Sequence, residues 1–209
     1  LGTLLVFSCS NPSDLDKIRD INSTFENTPV EIKGVVSGVF QDKAALSGFF
    51  IQDDALFSSS GIFVNSTKEV HVGDEILINA TVVEVRNETR LDSVTSIELL
   101  SANHSFTTHT LNFPFTRAEI ERLEGCLVAI PNELQISDSY SFEKYGQLMV
   151  SSSPLVQATE LFDAQNQSNQ IKAHNDKQFS TTLLLDDLSN IKYPSNEDLY
   201  CAKNKVVVG

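Results

Sequence analysis

The sequence predicts a mainly β fold, and three observations support this expectation. Short runs rich in Val, Ile and Phe recur between residues 30 and 100, and Gly, Asn, Asp and Ser separate them. The first run is long and contains Gly34 and Gly38, and a glycine inside a strand indicates a bulge or a sharp bend. A Val-Gly-Asp turn ending at Asp74 precedes the fourth run. Five strands, of which the first is long and bent, are typical of a small closed barrel of the OB type.

The barrel strands and two short helices are predicted from apolar alternation and from turn and cap residues. In chain order the strands are Val30–Val39, Gly48–Gln52, Ile62–Val64, Glu75–Val85 and Val94–Leu100. Before them, Ser13 can cap a short helix over residues 14–21. After them, Thr116 and Glu119 have the spacing of a capping box, which predicts a helix from Arg117 to Glu124 that ends at Gly125.

The segment after this helix is predicted to be β-rich. Its strands are expected at Cys126–Ile130, Leu134–Ile136, Gln147–Val150 and Phe179–Leu185. Residues 164–177 contain few apolar side chains, so we expect a loop there. These patterns divide the chain after residue 9 into a polar leader (10–28), the barrel (29–102), a linker with a short helix (103–125) and a second β-rich segment (126–209).

Residues 1–9 resemble the end of a signal peptide. They run through LLVF to a small residue before Cys9, as in a bacterial lipobox, although Phe7 departs from the usual pattern. A lipid on Cys9 would be the link to a membrane, since no apolar run is long enough to span one. The alternative is that Leu4–Phe7 form a buried strand. Cys126 and Cys201 could form a disulfide in an exported chain, or Cys126 could be a small buried residue unrelated to Cys201.

Charge and motif content argue against a strong free-standing nucleic-acid binder and against an enzyme. The chain has 28 acidic and 15 basic residues and a net charge of −13, whereas nucleic-acid binders usually show a basic patch. The histidines have no zinc-ligand spacing. Paired carboxylates at Asp53-Asp54 and Asp186-Asp187 are more typical of turns than of Ca²⁺ or Mg²⁺ sites. Without a glycine-rich phosphate loop or a Ser or Cys nucleophile motif, we predict that this chain is non-catalytic and holds no cofactor.

Several stretches resemble, in the same order, the OB-fold module of bacterial extracellular nucleases of the ExeM/YhcR kind. They are GVVSGVF, GFFIQDD, GIFV, VHVGDEILINATVVEV, ERLEGCLVAI, SDSYSFEKYGQLMVSSS and LLLDD, and the resemblance covers residues 29–209. In that family, which usually has Met where this chain has Cys126, the module precedes an endonuclease/exonuclease/phosphatase-type catalytic domain that uses a divalent metal. The resemblance implies a full-length metal-dependent endonuclease, extracellular or anchored to the outer membrane, of which this chain is a piece truncated at Gly209.

Aromatic residues on two strands are the first candidates for a binding site. Barrels of the OB type bind oligonucleotides or oligosaccharides on the face of their second and third strands and on two neighbouring loops. Bases stack on exposed aromatic rings, so we expect Phe49 or Phe50, together with Phe63, to form a platform. Alternation places Phe49 and Phe50 on opposite faces of their strand. The alternative is that all three rings fill the barrel core.

Basic residues in the two loops are the second part of the predicted site. Lys43 lies in the predicted loop between the first two strands (residues 41–47), and Arg86 and Arg90 lie in the predicted loop between the fourth and fifth strands (residues 86–92). Such side chains neutralise phosphates of the nucleic-acid backbone. Acidic residues lie beside them at Asp42, Glu88 and Asp92.

The sequence therefore predicts a non-catalytic region that positions DNA or RNA, single-stranded or locally frayed, for a downstream nuclease domain. Two alternatives remain open. The chain could be a structural spacer that docks on the catalytic domain, or an OB module that binds an oligosaccharide.

Overall fold

The structure is a computed structural model that describes residues 17–41, 46–53, 61–186, 188–189 and 191–193. Strands take up more of these residues than helices do, so the fold is mainly β, as predicted. The described residues form two compact units. The first comprises residues 17–39, 48–53, 61–107 and 124–127, and the second comprises the remainder.

A five-stranded sheet forms the first unit. Its strands are β1 (Pro29–Phe40), β2 (Gly48–Gln52), β3 (Gly61–Val64), β4 (Glu75–Val85) and β5 (Glu88–Ser101). The strand order is β1-β2-β3-β5-β4, and β1 also pairs with β4, so the sheet closes into a barrel. β3 and β5 run parallel, whereas β2 with β3, β4 with β5 and β1 with β4 are antiparallel. Short 3₁₀ turns at Ile18–Asp20 and Ser23–Phe25 precede β1.

Alternation along the strands directs one set of apolar side chains into the barrel. In β4, every second residue from Ile76 to Val82 is buried, and the residues between them are half-buried. The same alternation brings Phe49 and Ile51 of β2 into the interior. Burying each such side chain contributes roughly 1.5–3 kcal/mol relative to exposure. The interior of the barrel is therefore an apolar core to which all five strands contribute.

The second unit combines small sheets with short helices. In chain order its elements are β6 (His109–Thr110), α1 (Arg117–Arg122), β7 (Val128–Ala129), β8 (Gln135–Asp138), α2 (Phe142–Tyr145), β9 (Leu148–Ser151), α3 (Ala158–Leu161), α4 (Ser168–Phe179) and β10 (Thr182–Leu185). β6 pairs with β7, and β8, β9 and β10 form a sheet in the order β10-β9-β8. Its apolar core is built around Leu111, Phe115 and Leu123.

Most predicted barrel strands are confirmed, and the largest difference lies at the start of β5. β2 and β4 have the predicted bounds. β5 begins at Glu88 rather than at Val94 because Arg86 and Asn87 form a two-residue turn. Both turn residues have positive φ, 56° and 67°, which is the geometry that joins antiparallel strands most tightly.

The helix predictions are confirmed in one place and wrong in another. The capping box at Thr116 is present and starts α1 at Arg117, although the helix ends at Arg122 rather than at Glu124. The predicted loop over residues 164–177 is wrong, because α4 spans Ser168–Phe179. Because α2, α3 and α4 all lie in the second segment, this segment contains more helix than the predicted β-rich structure. Of the helix predicted over residues 14–21, the described part is the 3₁₀ turn at Ile18–Asp20.

Candidate nucleic-acid interface

Three of the predicted site residues lie side by side on the outer face of the barrel. In the strand register Phe50 of β2 faces Phe63 of β3, and Phe63 faces Arg90 of β5. Directly paired residues project from the same face of a sheet, so the three side chains form one row across it. The rings of Phe50 and Phe63 are in contact, with centroids 5.1 Å apart and planes inclined by 59°. We call these three residues the outer row.

Two of the three predicted stacking residues are buried. Phe49 is fully buried in the barrel interior, so the prediction that it could present a ring to a base is wrong. Phe63 is only 4% exposed although it points outward. Its ring lies over Gly48, where a Cβ atom would be 2.3 Å from Phe63 Cζ. Of the two rings in the outer row, only that of Phe50, which is half-buried, stays partly accessible.

Arg90 is held in the outer row by an acidic neighbour. Its guanidinium Nη2 is 3.4 Å from Asp92 Oδ2, and its side chain is 24% exposed. The Nε atom of Arg90 is buried without a hydrogen-bond acceptor. Burial acts to raise the pKa of Asp92, but hydrogen bonds from the Ser93 N–H and the Asn65 amide, with the Arg90 charge, hold that pKa below its usual range. Asp92 therefore stays ionised and offsets much of the Arg90 charge.

The two predicted loops differ in what the structure describes. Arg86 is exposed at the tip of the β4–β5 turn, where its backbone takes φ 56°. Glu88, the first residue of β5, is half-buried beside it. Lys43 and Asp42 lie outside the described residues. Arg86 is thus the accessible cation of the predicted site within the described residues.

Sequence reasoning did not identify Gln52, which lies on the outer face of β2 next to the outer row. Gln52 is fully buried, although it lies on the outward side of β2. Its amide Nε2 donates to the Thr107 carbonyl (3.1 Å), and its Oε1 accepts from the Leu127 N–H (2.7 Å). Beside it, a Cβ atom on Gly61 would be 2.3 Å from the Gly125 backbone. The chain's own segments around residues 107 and 125 therefore occupy the part of the β2–β3 face next to the outer row.

The remaining predicted sites are only partly described. Cys9 and Cys201 lie outside the described residues, and Cys126 is a half-buried free thiol. Within the described ranges, no group of three or more His, Cys, Asp or Glu side chains is arranged to hold a metal ion. In the same part of the chain, no helix combines the length and the apolar character needed to cross a bilayer.

Comparisons of the chain with protein-family models, with curated proteins and with solved structures find no match.

Proposed function

We propose that the first unit is an OB-type barrel that belongs to an exported bacterial nuclease and positions single-stranded DNA or RNA without taking part in catalysis. The strand order β1-β2-β3-β5-β4, closed by the β1–β4 pairing, supports the OB assignment. The parallel pairing of β3 with β5 supports it as well, because it joins two strands that are not consecutive.

The outer row carries the proposal for the binding site. It places a partly accessible ring, Phe50, in one row with Arg90, with Phe63 between them, on the face that such barrels use for ligands. One base stacks on Phe50, and Arg86 at the nearby hairpin tip contacts a phosphate. Arg90 contributes little to phosphate binding, because Asp92 offsets its charge. With one base and one phosphate engaged, and a net charge of −13, binding is weak and sensitive to salt.

Fluorescence anisotropy with labelled oligothymidylate and with duplex DNA, across a salt series, tests this proposal. We expect Phe50→Ala to weaken single-strand binding about fivefold or more, since stacking of one base contributes roughly 1–3 kcal/mol. We expect Arg86→Ala to reduce the slope of log K against log salt by about 1. Leu99→Ala removes an exposed apolar side chain from β5, and Lys17→Ala removes an exposed cation, so these variants serve as matched controls.

The proposal fails if the chain binds no oligonucleotide at low salt, or if both site variants bind as the wild type does. If the chain binds no oligonucleotide, the result supports the second candidate function, in which the chain is a spacer that docks on a catalytic domain. The burial of Phe49 and Phe63 and the covering of Gln52 favour that candidate, because they leave little aromatic surface for bases. Binding of an uncharged oligosaccharide in the same assay would instead point to a sugar-binding barrel.

A further inference from the structure

The second unit carries a cluster of exposed aromatic and basic side chains. It consists of Tyr145, the last residue of α2, with Lys144, Lys192 and Tyr193, and we call it the Tyr–Lys patch. Tyr145 is 37% exposed and Tyr193 is 69% exposed. Both side chains are therefore accessible to a ligand.

Several contacts hold the patch together. The Tyr193 N–H donates to the Lys144 carbonyl at 2.9 Å, which fixes the Ile191–Tyr193 segment beside α2. The Lys144 ammonium lies 4.9 Å from the centroid of the Tyr145 ring. A hydrogen bond from Lys144, with the charges of Lys144 and Lys192, lowers the pKa of the Tyr145 hydroxyl. Lys192 precedes Tyr193 in the segment that this backbone hydrogen bond holds beside α2.

The charges of these lysines are available to a ligand. Among the described residues, neither Lys144 nor Lys192 forms an ion pair with a carboxylate, in contrast to Lys33, Lys172 and Arg90. Lys192 is exposed, and Lys144 is half-buried against the Tyr145 ring. The net charge of the protein is −13, so a local group of lysines without acidic partners is unusual in it. Together with accessible aromatic rings, these lysines favour an anionic ligand that also carries planar rings able to stack.

Single-stranded nucleic acid has this combination of properties. Its bases stack on aromatic rings without regard to sequence, and its phosphates lie close enough to the bases to meet neighbouring cations. A neutral sugar could stack on the tyrosines but would gain nothing from the lysines. We propose that the Tyr–Lys patch binds single-stranded nucleic acid, with bases on Tyr145 and Tyr193 and phosphates beside Lys144 and Lys192. The inference shares with the proposed function the class of ligand and rests on it to that extent, but it needs no binding by the barrel.

Tyrosine fluorescence separates this patch from the barrel. The chain has no tryptophan, and its four tyrosines are at positions 140, 145, 193 and 200. The three that the structure describes, Tyr140, Tyr145 and Tyr193, lie outside the first unit. Stacking of a base on a tyrosine quenches its emission, so titration of the full chain with oligothymidylate, corrected for absorbance, should quench tyrosine fluorescence. The Tyr145→Ala/Tyr193→Ala double variant should lose most of this quenching and weaken anisotropy-detected binding about fivefold or more.

Charge variants and two controls complete the test. Lys144→Ala/Lys192→Ala should weaken binding and reduce its salt dependence, while Lys177→Ala and Leu161→Ala, which change an exposed cation and an exposed apolar residue of the same unit, should not.

Equal binding by the wild type and the double tyrosine variant would overturn the proposal even if Phe50→Ala weakens binding. Loss of binding in the tyrosine variant but not in Phe50→Ala would support the patch and reject the barrel site. Quenching by a neutral oligosaccharide, unchanged by the lysine variants, would overturn the nucleic-acid assignment.

Discussion

At the scale of single residues, Gln52 connects the barrel to the segments that cover its outer face. Its buried side chain donates to the Thr107 carbonyl and accepts from the Leu127 N–H. Replacement by Leu keeps the volume similar but leaves both backbone groups without a partner. An unsatisfied buried polar group costs about 1–3 kcal/mol. We therefore expect Gln52→Leu to lower the free energy of unfolding by at least about 1–3 kcal/mol, measured by urea denaturation.

Gln52→Glu tests the direction of the two hydrogen bonds. A carboxylate can still accept from the Leu127 N–H, but it has no hydrogen to donate to Thr107 and brings a charge into a buried position. It should therefore destabilise the protein at pH 7, and more than the control Gln170→Leu, which changes an exposed glutamine of α4. If Gln52→Leu is as stable as the wild type, these hydrogen bonds do not hold the covering segments in place.

The outer face also shows what sequence reasoning can predict at this scale. Alternation correctly placed Phe49 and Phe50 on opposite faces, because the period of a strand is two residues, but it did not show which of the two shares a face with Phe63. It could not predict that Phe63 is buried, because its burial depends on the missing side chain of Gly48 on the neighbouring strand. The sequence signal for Gln52 was a polar residue at the end of an apolar strand. Such a side chain needs hydrogen-bond partners if it is buried.

At the scale of elements, α1 depends on its N-terminal cap. The Thr116 Oγ1 accepts from the Glu119 N–H (3.2 Å), and Glu119 Oε2 accepts from the Thr116 N–H (2.7 Å). In a helix of six residues, these bonds satisfy a large share of the free backbone donors. Thr116→Ala should cost about 1 kcal/mol of stability, measured by denaturant unfolding. Thr116→Ser keeps the hydroxyl and should cost much less; equal losses in the two variants would show that the methyl group, not the cap, matters.

The missed helix α4 shows why the second unit was harder to predict than the barrel. None of its residues is buried, so it has no apolar stripe of helical period for the sequence to reveal. Its stabilisation includes local contacts, such as the Lys172–Asp176 ion pair at a spacing of four residues (2.7 Å). A polar segment with such pairs cannot be distinguished from a loop by hydrophobic periodicity alone.

At the scale of the whole molecule, the barrel was predictable because its strands bury one face and are separated by clear turn residues. Alternation of apolar residues does not predict the strand order, because it indicates only which face of each strand is buried. The number of strands and the long, bent first strand predicted a closed barrel, and the strand pairings close the sheet. The site was predicted less well, because exposure of a ring depends on what the rest of the chain places over it.

Carboxyl groups whose pKa is lower in the folded state make the stability of the molecule depend on pH. Glu75 illustrates the effect: Lys33 Nζ lies 3.0 Å from Glu75 Oε1, and Ser101 Oγ donates to Oε2. The hydrogen bond from Lys33 is the main cause that lowers the pKa of Glu75; burial opposes it, and Ser101 and His104 assist. A carboxyl whose pKa is lower in the folded state binds fewer protons there than in the unfolded state. Its stabilising contribution is complete above the unfolded pKa, near 4.3 for Glu, and is lost as the pH falls through the lower folded value.

The resulting prediction concerns the difference between the wild type and Glu75→Gln. The amide can still accept hydrogen bonds from Lys33 and Ser101 but carries no charge. Thermal unfolding should therefore show a lower midpoint for Glu75→Gln than for the wild type at pH 7, and the two midpoints should converge as the pH falls through the lowered pKa of Glu75 in the folded state. The control Glu98→Gln changes an exposed carboxylate of β5, and its difference from the wild type should vary less between these pH values. A gap that stays unchanged down to the lowest pH at which both proteins fold would mean that Glu75 stabilises the barrel through packing or hydrogen bonding rather than through its charge.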